Sequence, residues 1–226
     1  MVMVRFSSIE VYNAIIEQGL VPVFYNGDFE VAKNIISAIA KGGGKIIEFT
    51  NRGDFAFEIF ANLVKYFETK EPQLIFGVGS VIDPYTAALY INTGANFIVG
   101  PALNPDIAKI CNRRRIPYSP GCGTATEISR AEELGSEIIK IFPAGILGGP
   151  NFVKAILAPN PWTKIMPTGG VDITEESIES WFEAGVVAVG IGSKLITKDL
   201  VASKNWDGIA KNVANTLELI QKSKIK

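Results

Sequence analysis

Short runs of β-branched and aromatic residues alternate along the chain with longer stretches in which apolar residues return every three or four positions. The first pattern is that of buried strands, the second that of helices with one face on a core. The runs fall at 21–24, 45–49, 74–76, 97–99, 117–119, 138–142, 164–166 and 186–189. Between them a unit repeats: helix, glycine near its end, short strand, loop. Gly94, Gly135 and Gly185 each precede a run, as helix-ending glycines do. Helix starts carry marks of their own. Ser7 with Glu10, and Thr124 with Glu127, have capping-box spacing. Asp83-Pro84 and Asn104-Pro105 set a capping side chain before proline at the first helical position. A first helix is expected over 8–18, ended by Gly19, and a second from an Asp28 cap to Lys41. Ile209, Val213, Leu217 and Ile220 recur at helical spacing and predict a closing amphipathic helix over 205–222.

About eight strands alternating with helices are what a TIM (β/α)8 barrel requires, in a chain slightly shorter than the usual ~250 residues. An open doubly wound sheet is the alternative. It opens with a glycine-rich nucleotide fingerprint after its first strand, and Phe24-Tyr25-Asn26-Gly27-Asp28 has none. No Ser/Pro-rich linker, low-complexity tract or long charge run divides the chain. The expectation is one α/β domain over 1–226, a barrel with an N-terminal helix and an added C-terminal helix. Arg113-Arg114-Arg115, the densest basic cluster, falls at an expected helix end, where cations suit the helix dipole.

With 226 residues, 47% hydrophobic and 20% charged, the chain can bury a sizeable core. Its net charge of -1 gives no footprint for nucleic acid or for an anionic membrane. No apolar run is long enough to span a bilayer, and Glu10 and Glu17 interrupt the first nineteen residues in a way foreign to a signal peptide. Cys111 and Cys122 form no disulfide or zinc pattern and suit a reducing compartment. A cytoplasmic protein is expected. The absence of histidine excludes Ser-His-Asp and Cys-His catalysis and leaves a metal site without its commonest ligand. Acid/base work falls to Glu, Asp, Lys, Tyr or water.

One strand is broken by a lysine. Lys140 stands among Ile138, Ile139, Ile141 and Phe142, and lysine is almost never fully buried unless paired or put to use. Burial disfavours the ammonium and exposes an amine nucleophile able to form a Schiff base with a carbonyl. The competing reading is a lysine on an edge strand that reaches solvent. In a barrel the active groups lie at the C-terminal strand ends. Strand two offers Glu48, with Thr50 on the same face and Arg52 in the loop beyond. Strands two and six are both even-numbered, so Glu48 and Lys140 can share an inner layer. A structural ion pair is the alternative to a catalytic one. Arg52 can hold a carboxylate in bidentate fashion or be a solvated loop residue. Pro167-Thr168-Gly169-Gly170 and Gly190-Ile191-Gly192-Ser193 follow strands seven and eight, the usual phosphate cradle of this fold.

Glu48-Phe49-Thr50-Asn51-Arg52, Gly77-Val78-Gly79-Ser80-Val81, Pro120-Gly121, Lys140-Ile141-Phe142-Pro143-Ala144 and Pro167-Thr168-Gly169-Gly170, in that order, resemble the KDPG/KHG aldolases. These class I enzymes split 2-keto-3-deoxy-6-phosphogluconate or 4-hydroxy-2-oxoglutarate and release pyruvate. The resemblance, from about residue 21 to 196, implies a homotrimer of TIM barrels with no metal or organic cofactor. It implies Lys140 as the Schiff-base lysine and Glu48 as general acid/base. Arg52, Ser80 and Thr168 would hold the pyruvate carboxylate, and Gly169, Gly170, Gly192 and Ser193 the phosphate. The expected partners are a small 2-keto acid and pyruvate. Ser80 stands where threonine is common, Gly145 where many bacterial members have glutamate, and Asn51 where an apolar residue is frequent. Gly100-Pro101-Ala102-Leu103 is a variant of the usual Ser-Pro-Gly. Two rival readings are a thiamine phosphate synthase-like transferase with Lys140 as a charge donor, and a non-catalytic sensor of sugar-acid phosphates.

Overall fold

The computed structural model describes residues 6–225. The reading of the chain's start and the single domain over 1–226 rest in part on residues 1–5 and 226, which lie outside them. Helix α1 (Ser8–Gln18) starts with the expected reciprocal cap: Glu10 N–H donates to Ser7 Oγ and Ser7 N–H donates to Glu10 Oε2. Strands β1 (Leu20–Phe24), β2 (Ile46–Thr50), β3 (Ile75–Gly79) and β4 (Phe97–Val99) then alternate with α2 (Phe29–Lys41), α3 (Ala56–Lys70), α4 (Pro84–Asn92) and α5 (Pro105–Arg114). β5 (Tyr118–Ser119), β6 (Gly121–Cys122), α6 (Ala125–Glu133), β7 (Ile138–Ile141), α7 (Pro150–Leu157), β8 (Lys164–Pro167), α8 (Glu175–Glu183) and β9 (Val189–Ile191) follow, then α9 (Lys198–Ala202) and α10 (Trp206–Ile225). Asp28, Asp83, Asn104 and Thr124 each cap a helix through the side chain, as their positions predict. Arg114 and Arg115 close α5, Arg115 in the left-handed region at φ 55°.

Every ladder is parallel. The segments form a six-stranded sheet, β5-β4-β3-β2-β1-β9, and a three-stranded sheet, β6-β7-β8. This corrects the expectation of eight strands in one sheet. The fifth strand is divided at Pro120, which has no N–H to give a ladder. Its first part pairs with β4 and its second with β7, while the Pro120 carbonyl accepts from Lys140 N–H at 3.1 Å. Between β8 and β9 the link is one bridge, Thr168 to Gly190, plus Val187 N–H on the Ile165 carbonyl at 3.0 Å. The last strand also begins later than its apolar run.

Two apolar clusters follow from strand alternation. One set of alternate residues, Val21, Val23, Ile46, Ile75, Phe97, Val99, Ile138 and Met166, packs together with Val11 and Ile15 of α1. The other set, including Leu20, Ile47, Phe49 and Ile139, packs outward on the helices. Helix α1 therefore covers the starts of the strands, on the side away from their C-terminal ends. A second correction concerns α10. It lies against α2 and α8, the place of the helix that follows the last strand, so it is part of the helical layer and no appendage. Gly42 permits this approach, since a Cβ there would meet the Ala210 carbonyl oxygen at 2.5 Å.

Among the described residues no helix is long and apolar enough to cross a membrane. Both cysteines are free and buried. Burial pushes each thiol up to about 12, and the thiolate is the reactive form. The native protein is therefore expected to resist a thiol-titrating disulfide reagent at pH 8 and to expose two reactive thiols in denaturant. Rapid stoichiometric labelling without denaturant would contradict this packing.

Candidate active site

The inner alternation that buries Ile46 and Ile138 places Glu48 and Lys140 one step further toward the open end of the column. Lys140 Nζ lies 3.8 Å from Glu48 Oε1, with the side chains 7% and 1% exposed. The lysine is not on a solvent-facing edge: β7 lies between β6 and β8, with Lys140 paired to Gly121 and Met166. Its ammonium position also faces the Phe142 ring, 5.1 Å from the centroid. Neither carboxylate oxygen of Glu48 has a hydrogen-bond partner among the described residues, and the same holds for Thr168 Oγ1. Buried polar atoms are normally satisfied. The unpartnered Glu48 oxygens beside the lysine, and the Thr168 hydroxyl at the end of β8, mark places organised for a ligand or water.

Space for the carboxylate comes from β3. Thr50 pairs with Gly79, and a Cβ on Gly79 would collide with Glu48 Oε1. The loop after β2 is held by Asn51, whose N–H donates to the Gly79 carbonyl at 2.9 Å and whose side-chain oxygen accepts from buried Tyr90 OH at 2.8 Å. Arg52 follows directly.

Above the pair lies a cavity of about 610 Å³ lined by Thr50, Arg52, Phe142, Thr168, Gly169, Gly192 and Ser193, among others. Thr50 and Phe142 are the next inward positions after Glu48 and Lys140, so the pair sits one residue layer below this lining. Gly170 joins Gly169, Gly192 and Ser193 around an adjoining hollow of about 200 Å³. Gly169 and Gly170 have φ of 81° and 90°, a conformation that favours glycine. Ser80 lines neither space; it ends β3 with a left-handed backbone at φ 61°. The two spaces thus gather Arg52, Thr168, Gly169, Gly170, Gly192 and Ser193, with Glu48 and Lys140 one residue layer beneath and Ser80 lining neither. Sequence reading passed over Tyr25, Asn26 and Lys198, which also line the larger cavity. Tyr25 and Asn26 follow the end of β1, so the strand-end rule could have found them. Lys198 belongs to a helix too short for periodicity to show.

Parallel strands alternating with helices, with a lysine and a glutamate buried together toward the strand ends, define an α/β protein with an amine and a carboxylate beneath a cavity. Residues 11–212 match the family model "KDPG and KHG aldolase". The chain belongs to that family, and its members are carbon–carbon lyases. It is 32% identical to the 2-dehydro-3-deoxy-phosphogluconate aldolase of Haemophilus influenzae, over 91% of this chain and 94% of that protein. With the KHG/KDPG aldolase of Escherichia coli it shares 28%, over 88% and 91%. A crystal structure of KDPG aldolase from Legionella pneumophila, with pyruvate captured as a covalent carbinolamine intermediate, superposes with a TM-score of 0.81 at 26% identity. That match covers 89% of this chain and 95% of the other.

Gly79→Ala tests how the site is shaped. The new methyl must displace the Glu48 carboxylate or push β3 from β2. The expected cost is about 1–3 kcal/mol, the usual scale for overpacking, read as a lower urea midpoint. Unchanged stability, with Glu48 in place in a crystal structure of the variant, would refute the packing argument.

Proposed function

We propose that the protein is a class I aldolase acting on 2-keto-3-deoxy-6-phosphogluconate, 4-hydroxy-2-oxoglutarate or both. The products are pyruvate and glyceraldehyde 3-phosphate or glyoxylate. The observation that carries this reading is the buried Lys140–Glu48 contact at 3.8 Å. In it, the Lys140 amine attacks the C2 ketone, and the carbinolamine loses water to give a protonated imine. Glu48, directly or through water, removes the C4 hydroxyl proton. The C3–C4 bond breaks, its electron pair passes into the imine, and the aldehyde leaves. The remaining enamine of pyruvate is protonated at C3 and hydrolysed, which frees pyruvate and the lysine. Support comes from the covalent pyruvate adduct named for the Legionella pneumophila enzyme. Neither a metal nor an organic cofactor enters this scheme.

Arg52 holds the substrate carboxylate, with Thr168 and Ser80 adding hydroxyls; for Ser80 this requires a contact made on binding. Gly169, Gly170, Gly192 and Ser193 receive the phosphate. The reading also takes the two sheets as one eight-stranded barrel, supported by their abutment at Pro120 and by the Thr168–Gly190 bridge. A single domain over 1–226 in a cytoplasmic homotrimer belongs to the same reading. Exposed Ile82, Tyr85 and Leu89, at and just before α4, supply apolar surface for a subunit contact.

Borohydride reduction in the presence of pyruvate is expected to leave a stable adduct on Lys140, located by peptide mass spectrometry. Lys140→Ala should neither trap pyruvate nor release it from substrate. Labelling at another lysine, or turnover by the variant, would end the proposal. Keto-acid binding without any pyruvate release would leave a sensor in its place. Glu48→Gln is expected to lose on the order of 10²–10⁴ in kcat, the scale of one acid/base group, while still trapping pyruvate. Full turnover in that variant would remove Glu48 from the mechanism.

A further inference from the structure

The larger cavity holds two cations, Arg52 and Lys198, and no aspartate or glutamate among its lining residues. Neither cation has an ion pair or side-chain hydrogen bond among the described residues, although many exposed lysines do. Lys194 pairs with Asp172 at 2.8 Å, Lys41 with Asp207 at 2.8 Å and Lys222 with Glu218 at 2.7 Å. The contrast is sharpest beside the glycine turns. Lys194 directly follows Ser193 and lines the smaller hollow, but Asp172 lines it too and cancels its charge. Lys198 is four residues further on and remains free to meet an anion. Its backbone is fixed: the Thr197 side chain caps α9 by accepting from Leu200 N–H at 3.3 Å, and Asn205 N–H closes on the Leu200 carbonyl at 2.8 Å.

Resting on the aldolase reading, the number of free charges constrains the substrate. Arg52 is taken by the carboxylate beside the ketone, which leaves one free cation for one further anion. In the five-carbon dicarboxylate that anion is attached to the carbon of the breaking bond and stays beside Glu48 and Lys140. In the phosphorylated six-carbon acid it lies two carbons further out. Lys198 shares the cavity with Gly192 and Ser193, outside the buried layer of the pair. We propose that Lys198 is a specificity-determining residue that reads the distal phosphate and favours the phosphorylated six-carbon acid over the five-carbon dicarboxylate.

The experiment compares kcat/KM for 2-keto-3-deoxy-6-phosphogluconate, its unphosphorylated counterpart and 4-hydroxy-2-oxoglutarate in the wild type, K198A, K198Q and K198R. Lys198 is exposed, so these changes are expected to leave the fold intact, checked by thermal unfolding. In K198A and K198Q the ratio of phosphorylated to unphosphorylated substrate should fall by about fivefold or more, mainly through KM, as for a lost charge-assisted contact. K198R should keep most of the ratio, and the wild-type ratio should shrink with added salt. An unmoved ratio, or equal losses on both six-carbon substrates, overturns the proposal and leaves the aldolase reading standing. An equal loss on the five-carbon dicarboxylate overturns the claimed preference for phosphate. Absence of pyruvate release from all three substrates by the wild type overturns both readings together.

Discussion

A lysine and a glutamate buried against each other inside an apolar column are the interaction on which the site depends. Moving each ion out of water costs several kcal/mol, and attraction between them repays this only with good geometry and further hydrogen bonds. Here the nearest approach is 3.8 Å, longer than a hydrogen bond, and both Glu48 oxygens lack donors among the described residues. As a way of holding strands together this is a poor bargain, since a leucine and a methionine would pack the same space at less cost. The arrangement makes sense when the amine and carboxylate act on a molecule between or above them. Other features serve that purpose: α1 covers the strand starts, the inner residues are aliphatic up to Ile46 and Ile138, and the opening lies on the far side.

What could be read from the chain follows the range of the forces involved. Helix starts are set by contacts three residues long, and the caps at Ser7, Asp28, Asp83, Asn104 and Thr124 all formed. Helices α1 and α2 and strand β4 have the expected limits because local signals bound both ends. The pairing of Glu48 with Lys140 joins residues far apart in sequence, yet it was legible, because strand alternation and barrel layering convert spacing into position. Features that depend on how remote segments meet were not. Pro120 reads as an ordinary strand neighbour until two different strands must pair on its two sides. The end helix reads as an extension until its fit between α8 and α2 is seen. Lys198 sits in five helical residues, fewer than two turns, where hydrophobic periodicity has no room to appear.

Glycine-rich Gly77-Val78-Gly79-Ser80 illustrates the same limit from another side. In the chain it follows the apolar run at 74–76 that marks the third strand. In the fold its first three residues are strand, and each glycine makes room for a neighbour. A Cβ on Gly77 would collide with the Phe97 ring of the inner cluster, and one on Gly79 with the Glu48 carboxylate. The motif shapes the column on one side and the acid on the other. Only Ser80 behaves as loop, and its left-handed backbone at φ 61° carries the cost expected of a non-glycine residue.

Charge is distributed by the same economy of partners. A net charge of -1 over the chain says nothing about the cavity, where two cations meet no acid. Ion pairs elsewhere are mostly exposed and worth little to stability, and beside the cavity one of them matters, because Asp172 occupies Lys194. Burial separates Lys140 from the two cations that line the cavity. Lys140, deep and beside an acid, is poised for covalent chemistry in the aldolase reading. Arg52 and Lys198 border the open cavity, and in the same reading they act through charge. In that reading a ligand that brings an anion to each cation offsets both charges. A molecule with only one anion leaves one cation uncompensated once water is displaced. Discrimination between ligands then follows from the spacing of their charges as well as from the fit of their carbon chains.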